Sequence, residues 1–284
     1  VGHCLYVPLV DEQGGMINDP VLLKLADDHF WLSIADSDVL LWAKGLALGA
    51  GLDVVVEEPD VSPLAVQGPR AEDVLAALFG ETIRDVKFFR FGRFEFLGER
   101  QIVARSGYSR QGGYEIYLRG GQHGAALWDA VWRAGEPHDI RPGCPNLIER
   151  IEGGLLSYGN EMTRQNNPFE CGLGGYCDLE AAGDFLGRDA LKRIRNKGHE
   201  REIRGIVFDG APCPPCGVPW PVMAGGRDGQ QVGQITSAAP SPRLGTNVGL
   251  SMIERDHWAG GNEVTVLSAD GQARKGIVST LPFS

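Results

Sequence analysis

The chain has 284 residues, 43% of them hydrophobic and 23% charged, which is enough for a sizeable core and about two domains. Thirty-seven acidic against 27 basic side chains leave a net charge of −10. That balance excludes an extended basic surface for nucleic acid or anionic membrane, so an acidic substrate would need a local basic pocket. No apolar stretch reaches the length of a membrane-spanning helix.

Val1-Gly2-His3 runs straight into a strand, Cys4 to Val10, with neither the basic start nor the apolar run of a secretory signal. The abrupt entry predicts a natural chain that begins further upstream. Gly14 and Gly15 predict a turn, and Asp19 follows at the mouth of an apolar strand, Val21 to Leu25. A carboxylate held where the chain re-enters the core is costly unless something pairs with it. Asp19 is therefore a candidate site acid.

A third strand runs from Phe30 to Ala35. Asp36 or Ser37 can cap a helix over Val39 to Leu48, ending at Gly49 or Gly51. Leu52 to Val56 is β-branched and strand-like, and Pro63 to Val66 is a short strand. Gln67-Gly68-Pro69 turns into a helix from Ala71 to Leu78. A meander over Val86 to Phe91, Arg93 to Leu97 and Gln101 to Ala104 follows. Tyr114 to Leu118 is a strand and Gly124 to Trp132 an amphipathic helix. The order is α+β, without the regular alternation of a doubly wound sheet. Gly135 to Pro145 is a linker, Asn146 to Tyr158 a helix and Gly187 to Lys197 a short basic helix.

Beyond Arg201 the pattern changes to short strands between Gly and Pro: Ile203 to Phe208, Val232 to Ile235, Val248 to Met252, Glu263 to Leu267 and Lys275 to Ser279. This predicts a small C-terminal β-barrel or sandwich over residues 198–284, after an α+β region of two interleaved domains over 1–197. The six cysteines are irregularly spaced. Cys213-Pro-Pro-Cys216 is a lone pair on a rigid loop, so no metal site is predicted and reduced cytoplasmic thiols are expected.

Two constellations can carry chemistry besides Asp19. On a helix from Asn146, Glu152 falls inside the apolar arc of Leu147, Ile148, Ile151, Leu155 and Leu156, next to Gly153-Gly154. It is either an acid for a ligand that approaches the backbone, or the partner of Arg150, Arg164 or another cation. On the strand after Ser106 to Gly113, Glu115 and Tyr117 share the face opposite Tyr114, Ile116 and Leu118. That pair lines a polar pocket or is simply a solvated strand face. Tyr6, Trp31 and Trp42 lie near the Asp19 strands and can form an aromatic wall. No serine or cysteine nucleophile pattern is present, which suits chemistry supplied by a cofactor and its substrate.

Several segments, in order, resemble the glycine-cleavage T-protein (aminomethyltransferase) family. They are Gly14-Gly15-Met16-Ile17-Asn18-Asp19, Gly107-Tyr108 through Gly113-Tyr114-Glu115-Ile116, and Arg150-Ile151-Glu152-Gly153-Gly154. Tyr158-Gly159-Asn160-Glu161-Met162, Asn167-Pro168-Phe169-Glu170, Thr236-Ser237 and Leu281-Pro282-Phe283 continue the series. The resemblance implies a multi-domain, ring-like α+β fold with a C-terminal barrel that binds tetrahydrofolate. It also implies Asp19 as the key acid, Glu152 as the acid that holds the pterin, and Tyr6 and Ser33 as folate contacts.

Asn18-Asp19-Pro20, Ser33 to Asp38 and Asp60 to Leu64 look most like the dimethylsulfoniopropionate demethylase branch. The expected reaction is transfer of a methyl group from a dimethylsulfonium donor to N5 of tetrahydrofolate, with Glu115 and Tyr117 at the substrate end. The partners expected are a small-molecule donor, no nucleic acid and no membrane. The alternatives are aminomethyl transfer from a lipoyl carrier protein, or folate binding without turnover.

Overall fold

The structure, a computed structural model, describes residues 1–34, 38–144, 147–180 and 183–283. The chain divides into two compact units, Val1–Tyr6 with Pro20–Pro145 and Val7–Asp19 with Asn146–Ser284. It passes from one to the other after Tyr6, after Asp19 and after Pro145.

In the first unit, β1 (Cys4–Tyr6), β4 (Val21–Lys24) and β5 (Phe30–Ser33) form a three-stranded antiparallel sheet in the order β1-β4-β5. A second sheet has the order β6-β9-β8-β7, from β6 (Val61–Gln67), β7 (Phe91–Phe96), β8 (Glu99–Ala104) and β9 (Gly113–Arg119). Successive side chains on β9 point to opposite faces. Tyr114, Ile116 and Leu118 pack against Val74 and Leu75 of α2 (Ala71–Phe79) and Leu127 and Val131 of α3 (Gly124–Gly135). Tyr117 points the other way, into a core with Cys4, Leu23, Leu25 and Ile102. The central sheet is thus covered on both faces, and each fully buried Leu or Ile contributes about 1.5–3 kcal/mol. α1 (Val39–Gly49) buries Val39 alone.

The second unit carries a hairpin of β2 (Leu9–Val10) and β3 (Met16–Asn18), the short helix α4 (Leu147–Glu152) and α5 (Arg188–Lys197). The remaining six strands close into a barrel in the order β10-β13-β12-β11-β14-β15, β10 pairing with both β13 and β15. They are β10 (Arg201–Phe208), β11 (Trp220–Ala224), β12 (Gln230–Ser241), β13 (Thr246–Glu254), β14 (Glu263–Leu267) and β15 (Ala273–Ser279). Closure leaves no sheet edge. Inward residues such as Phe208, Trp220, Val222, Val232 and Ile253 fill the interior. Gly205 lets the Phe283 ring lie against β10, since a Cβ there would stand 2.6 Å from it.

The predicted strand Cys4 to Val10 is two strands in different units. Pro8 has no N–H to continue a ladder, and the halves pair with different partners, β1 with β4 and β2 with β3. Leu52 to Val56 forms no strand, and Val54 and Val55 are exposed. Val86 to Arg90 turns rather than extends, with Phe89 at φ 55°, so the meander starts at Phe91. The helix predicted to reach Tyr158 ends at Glu152, because Gly153 follows and Gly154 adopts φ 64°. Leu155 and Leu156 therefore do not share a helical face with Glu152. Strand β11 was not predicted, its pattern being obscured by Pro221. The cap predicted at Asp36 or Ser37, and Ala35 and Asn146 as element ends, lie outside the described residues.

Candidate functional site

The turn predicted at Gly14-Gly15 is built around Asp11. Its carboxylate accepts the Gly15 and Gln13 amides at 2.8 and 3.0 Å, and Arg164 closes on it at 2.9 Å. Burial alone would push the Asp11 carboxyl up, but these hydrogen bonds outweigh it and hold it below its ordinary range. A Cβ at Gly15 would stand 2.4 Å from the Arg164 carbonyl oxygen. The glycine pair is thus demanded by packing. The hairpin delivers Asp19, half-buried, whose amide is fixed by the side chain of buried Asn18 at 2.8 Å. Asp19 lies within electrostatic range of Cys171, whose thiol is pushed up to about 12 by burial first and by Glu170 and Asp19 after it.

Glu152 ends α4 with both carboxylate oxygens engaged. One accepts the Ser241 hydroxyl at 2.5 Å and the other the Arg243 guanidinium at 2.8 Å. Burial would raise its carboxyl, but Arg243 and then Ser241 pull it below the ordinary value. "Another cation" was therefore the partner, and the helix is tied to the barrel through it. Two residues back, Arg150 forms a buried ion pair with Glu161 at 2.8 Å. Arg150 also donates to the Leu155 carbonyl and the Ser237 hydroxyl, and Glu161 accepts from Ser157 N–H, Ser237 and Thr236. The conspicuous Arg150, Glu161 and Thr236-Ser237 are in this way a satisfied network that joins α4 to β12.

The first unit presents a different arrangement. Tyr6 and Ser33 end β1 and β5 and are both in register with Val21 of β4, so they stand level at one end of the small sheet. Tyr117 is not on a solvated face: it is 3% exposed, and its ring lies 6.2 Å from that of Trp31. Its hydroxyl is buried without a hydrogen bond of good geometry, although Ser33 and Ser106 stand close enough to favour its ionised form. Burial, reinforced by Glu115, nonetheless pushes the phenol well up, so it stays protonated. Glu115 is half-buried and accepts the Ser106 hydroxyl at 2.5 Å. Cys4 completes the group, its thiol pushed up to about 12 by burial and then by Glu115.

Four of the six predicted site residues, Tyr6, Ser33, Glu115 and Tyr117, thus belong to the first unit, and Asp19 and Glu152 to the second. Of the aromatic wall expected from Tyr6, Trp31 and Trp42, the ring contacts shown are those of Trp31 with Tyr117 and His29. Ser106 and Cys4 were not singled out from sequence, since a serine in a glycine-rich loop and a cysteine in an apolar strand carry no distinguishing pattern. A groove of about 520 Å³ lined by His3, Lys87, Arg90 and Arg93 includes none of the six.

An orphan hydroxyl, a carboxylate and an adjoining indole are groups whose chemistry suits a ligand with both a hydrogen-bonding group and positive charge. Residues 1–181 match the profile of the GCVT N-terminal domain, and residues 201–284 that of the glycine cleavage T-protein C-terminal barrel domain. The chain is 53% identical over 269 residues to the dimethylsulfoniopropionate demethylase DmdA of Ruegeria pomeroyi, across 95% of this chain and 72% of that protein. It is 31% identical to the aminomethyltransferase of Caldanaerobacter subterraneus subsp. tengcongensis, across 93% of this chain and 70% of that one. The crystal structure of glycine cleavage system aminomethyltransferase T from Bartonella henselae superposes with a TM-score of 0.86 over the whole of this chain and 76% of its own, at 24% identity, and shows the fold. With both of its parts matched, the chain belongs to the glycine cleavage T-protein (aminomethyltransferase) family.

Proposed function

We propose that the protein is a cytoplasmic, tetrahydrofolate-dependent methyltransferase that demethylates a dimethylsulfonium compound of the dimethylsulfoniopropionate type. The observation that carries this reading is the contrast between 53% identity to a dimethylsulfoniopropionate demethylase and 31% to aminomethyltransferases, each over more than nine-tenths of the chain. The residues of the first unit fit it. When bound, tetrahydrofolate supplies the N5 lone pair that accepts the methyl carbon. The bond from that carbon to sulfur would break with its electron pair staying on sulfur, so the sulfide would leave neutral, and the proton that N5 carried would pass to solvent once N5 is alkylated.

The chain's own task is then placement and exclusion of water. The rings of Trp31 and Tyr117 would face the sulfonium, at about 0.5–2 kcal/mol for each cation–π contact. Glu115 would complement its charge, with the protonated Tyr117 hydroxyl available to donate. Tyr6 and Ser33 would contact the folate, and Asp19 would orient it. Each Glu152 carboxylate oxygen accepts one hydrogen bond, from Ser241 or from Arg243, and keeps a further lone pair. In this reading it holds the pterin with those lone pairs while tying α4 to the barrel. The division into a folate-binding region, 1–197, and a barrel domain, 198–284, is part of the same proposal.

Purified protein given tetrahydrofolate and dimethylsulfoniopropionate is expected to yield methyl-tetrahydrofolate and methylmercaptopropionate. Turnover only with an aminomethyl-lipoyl carrier protein would replace this reading with aminomethyl transfer. Folate binding without either turnover would leave a binding protein.

A further inference from the structure

We infer that Gln67 is a positioning residue for the Glu115 site: its side-chain amide holds the loop 106–113 closed, and the closed loop presents the Ser106 hydroxyl to the Glu115 carboxylate. The inference rests on the reading above in one respect, that Glu115 meets the substrate.

Gln67 is the last residue of β6 and pairs with Gly113 of β9. A side-chain amide offers two donor hydrogens and one carbonyl acceptor, and the loop uses all three functions. Nε2 donates to the Ser106 and Tyr114 carbonyls at 3.1 and 3.2 Å, and Oε1 accepts the Ser109 hydroxyl at 2.7 Å. The amide therefore spans both ends of the loop. The loop is also shaped to this side chain. A Cβ at Gly107 would stand 2.0 Å from Gln67 Oε1, and one at Gly113 would stand 2.8 Å from Nε2. Only glycine lets the backbone close so tightly, and Arg110 and Gly112 complete the reversal at φ 57° and 77°.

Ser106 is 4% exposed, and its carbonyl is fixed by Gln67 while its hydroxyl donates to Glu115 at 2.5 Å. One residue thus receives the clamp on its backbone and delivers the orientation through its side chain. The Glu115 carboxylate is oriented by that hydrogen bond. Without the serine it has the freedom of its own rotamers. A reacting group displaced by 1 Å can cost about 100-fold in rate, so the clamp bears directly on turnover.

The test uses the full chain. Gln67→Leu keeps the volume and loses the hydrogen bonds; Ser106→Ala loses the hydroxyl and Ser106→Thr restores it. Crystal structures of Gln67→Leu and the wild type are compared first. The Glu115 carboxylate is expected to leave Ser106 in the variant, and an unchanged Ser106–Glu115 bond overturns the inference whether or not the protein accepts a sulfonium. In wild-type protein that transfers methyl, Gln67→Leu and Ser106→Ala are each expected to lower kcat/KM by about 10-fold or more. Ser106→Thr is expected to stay near the wild type, and the double variant to be little worse than either single one, because the two act in series. Unchanged kcat/KM in Gln67→Leu, or losses that multiply in the double variant, overturns the inference. Should Gln67→Leu not fold, Gln67→Asn, which keeps the amide but shortens its reach, takes the same measurements. A wild type inactive toward sulfonium donors refutes the functional reading alone, since the crystallographic comparison still decides the role of Gln67.

Discussion

Three acids of the second unit and the candidate acid Glu115 of the first differ in what is left over. In the second unit Asp11, Glu152 and Glu161 each meet a guanidinium and at least one further donor. In the first, Glu115 accepts Ser106, and beside it the Tyr117 hydroxyl is buried with no good partner. An unsatisfied buried polar group costs about 1–3 kcal/mol. Among the described residues the other such atom is Trp220 Nε1, which sits in the barrel core against the Phe208 ring. Tyr117 differs in having two serine hydroxyls and a carboxylate around it. The lesson is that a charged residue in a prominent motif can be structural because its bonds are complete. A quieter group with bonds to spare is the better site candidate.

The sharpest way to break this comparison is to remove one partner on each side. Glu161→Ala leaves Arg150 buried without its counter-ion and is expected to destabilise by about 3–5 kcal/mol in urea unfolding. A loss below about 1 kcal/mol would show that water replaces the carboxylate and that the network is not closed. Asp19→Ala comes next: turnover is expected to fall by about 100-fold with stability within about 1 kcal/mol. Equal turnover in the two proteins would remove Asp19 from the mechanism.

Glu152→Gln is expected to cost about 1–2 kcal/mol, reduced by screening because Arg243 is 53% exposed, and to weaken folate binding. Because the folded Glu152 carboxyl lies below its ordinary value, its contribution is in place above about pH 4–5 and fades as the pH falls through that lowered value. The variant should therefore lose part of the acid-side slope in stability. Unchanged folate affinity by calorimetry would remove the pterin from Glu152. The smallest expected stability change is for Tyr117→Phe, which removes an unsatisfied hydroxyl: no loss, or a gain of up to about 1 kcal/mol, together with slower methyl transfer. A clear drop in stability would mean that the hydroxyl has a partner and is not held for a ligand.

Much of the molecule was legible along the chain. The strands of the barrel announce themselves by alternation between glycines, and β14 matches its predicted bounds, Glu263 to Leu267. The face of β9 that packs on the helices follows from the period of two at Tyr114, Ile116 and Leu118. Glu115 and Tyr117 could be placed on one face but not assigned to a pocket, because the sheet that covers them begins more than 80 residues earlier in the chain, at Cys4 and Leu23. Gln67 read as the start of a turn, since nothing local distinguishes an amide that will bind a loop 39 to 47 residues on.

The sequence by itself determined the family, most of the elements and the candidate residues, because these depend on residue type and on spacing within a few turns or strands. Tertiary structure alone decided which acids are already spoken for. Arg243 meets Glu152 from 91 residues away and Ser237 meets Arg150 from 87. Hydrogen bonds and ion pairs form wherever the fold brings donors and acceptors to about 3 Å, a distance that no local pattern encodes.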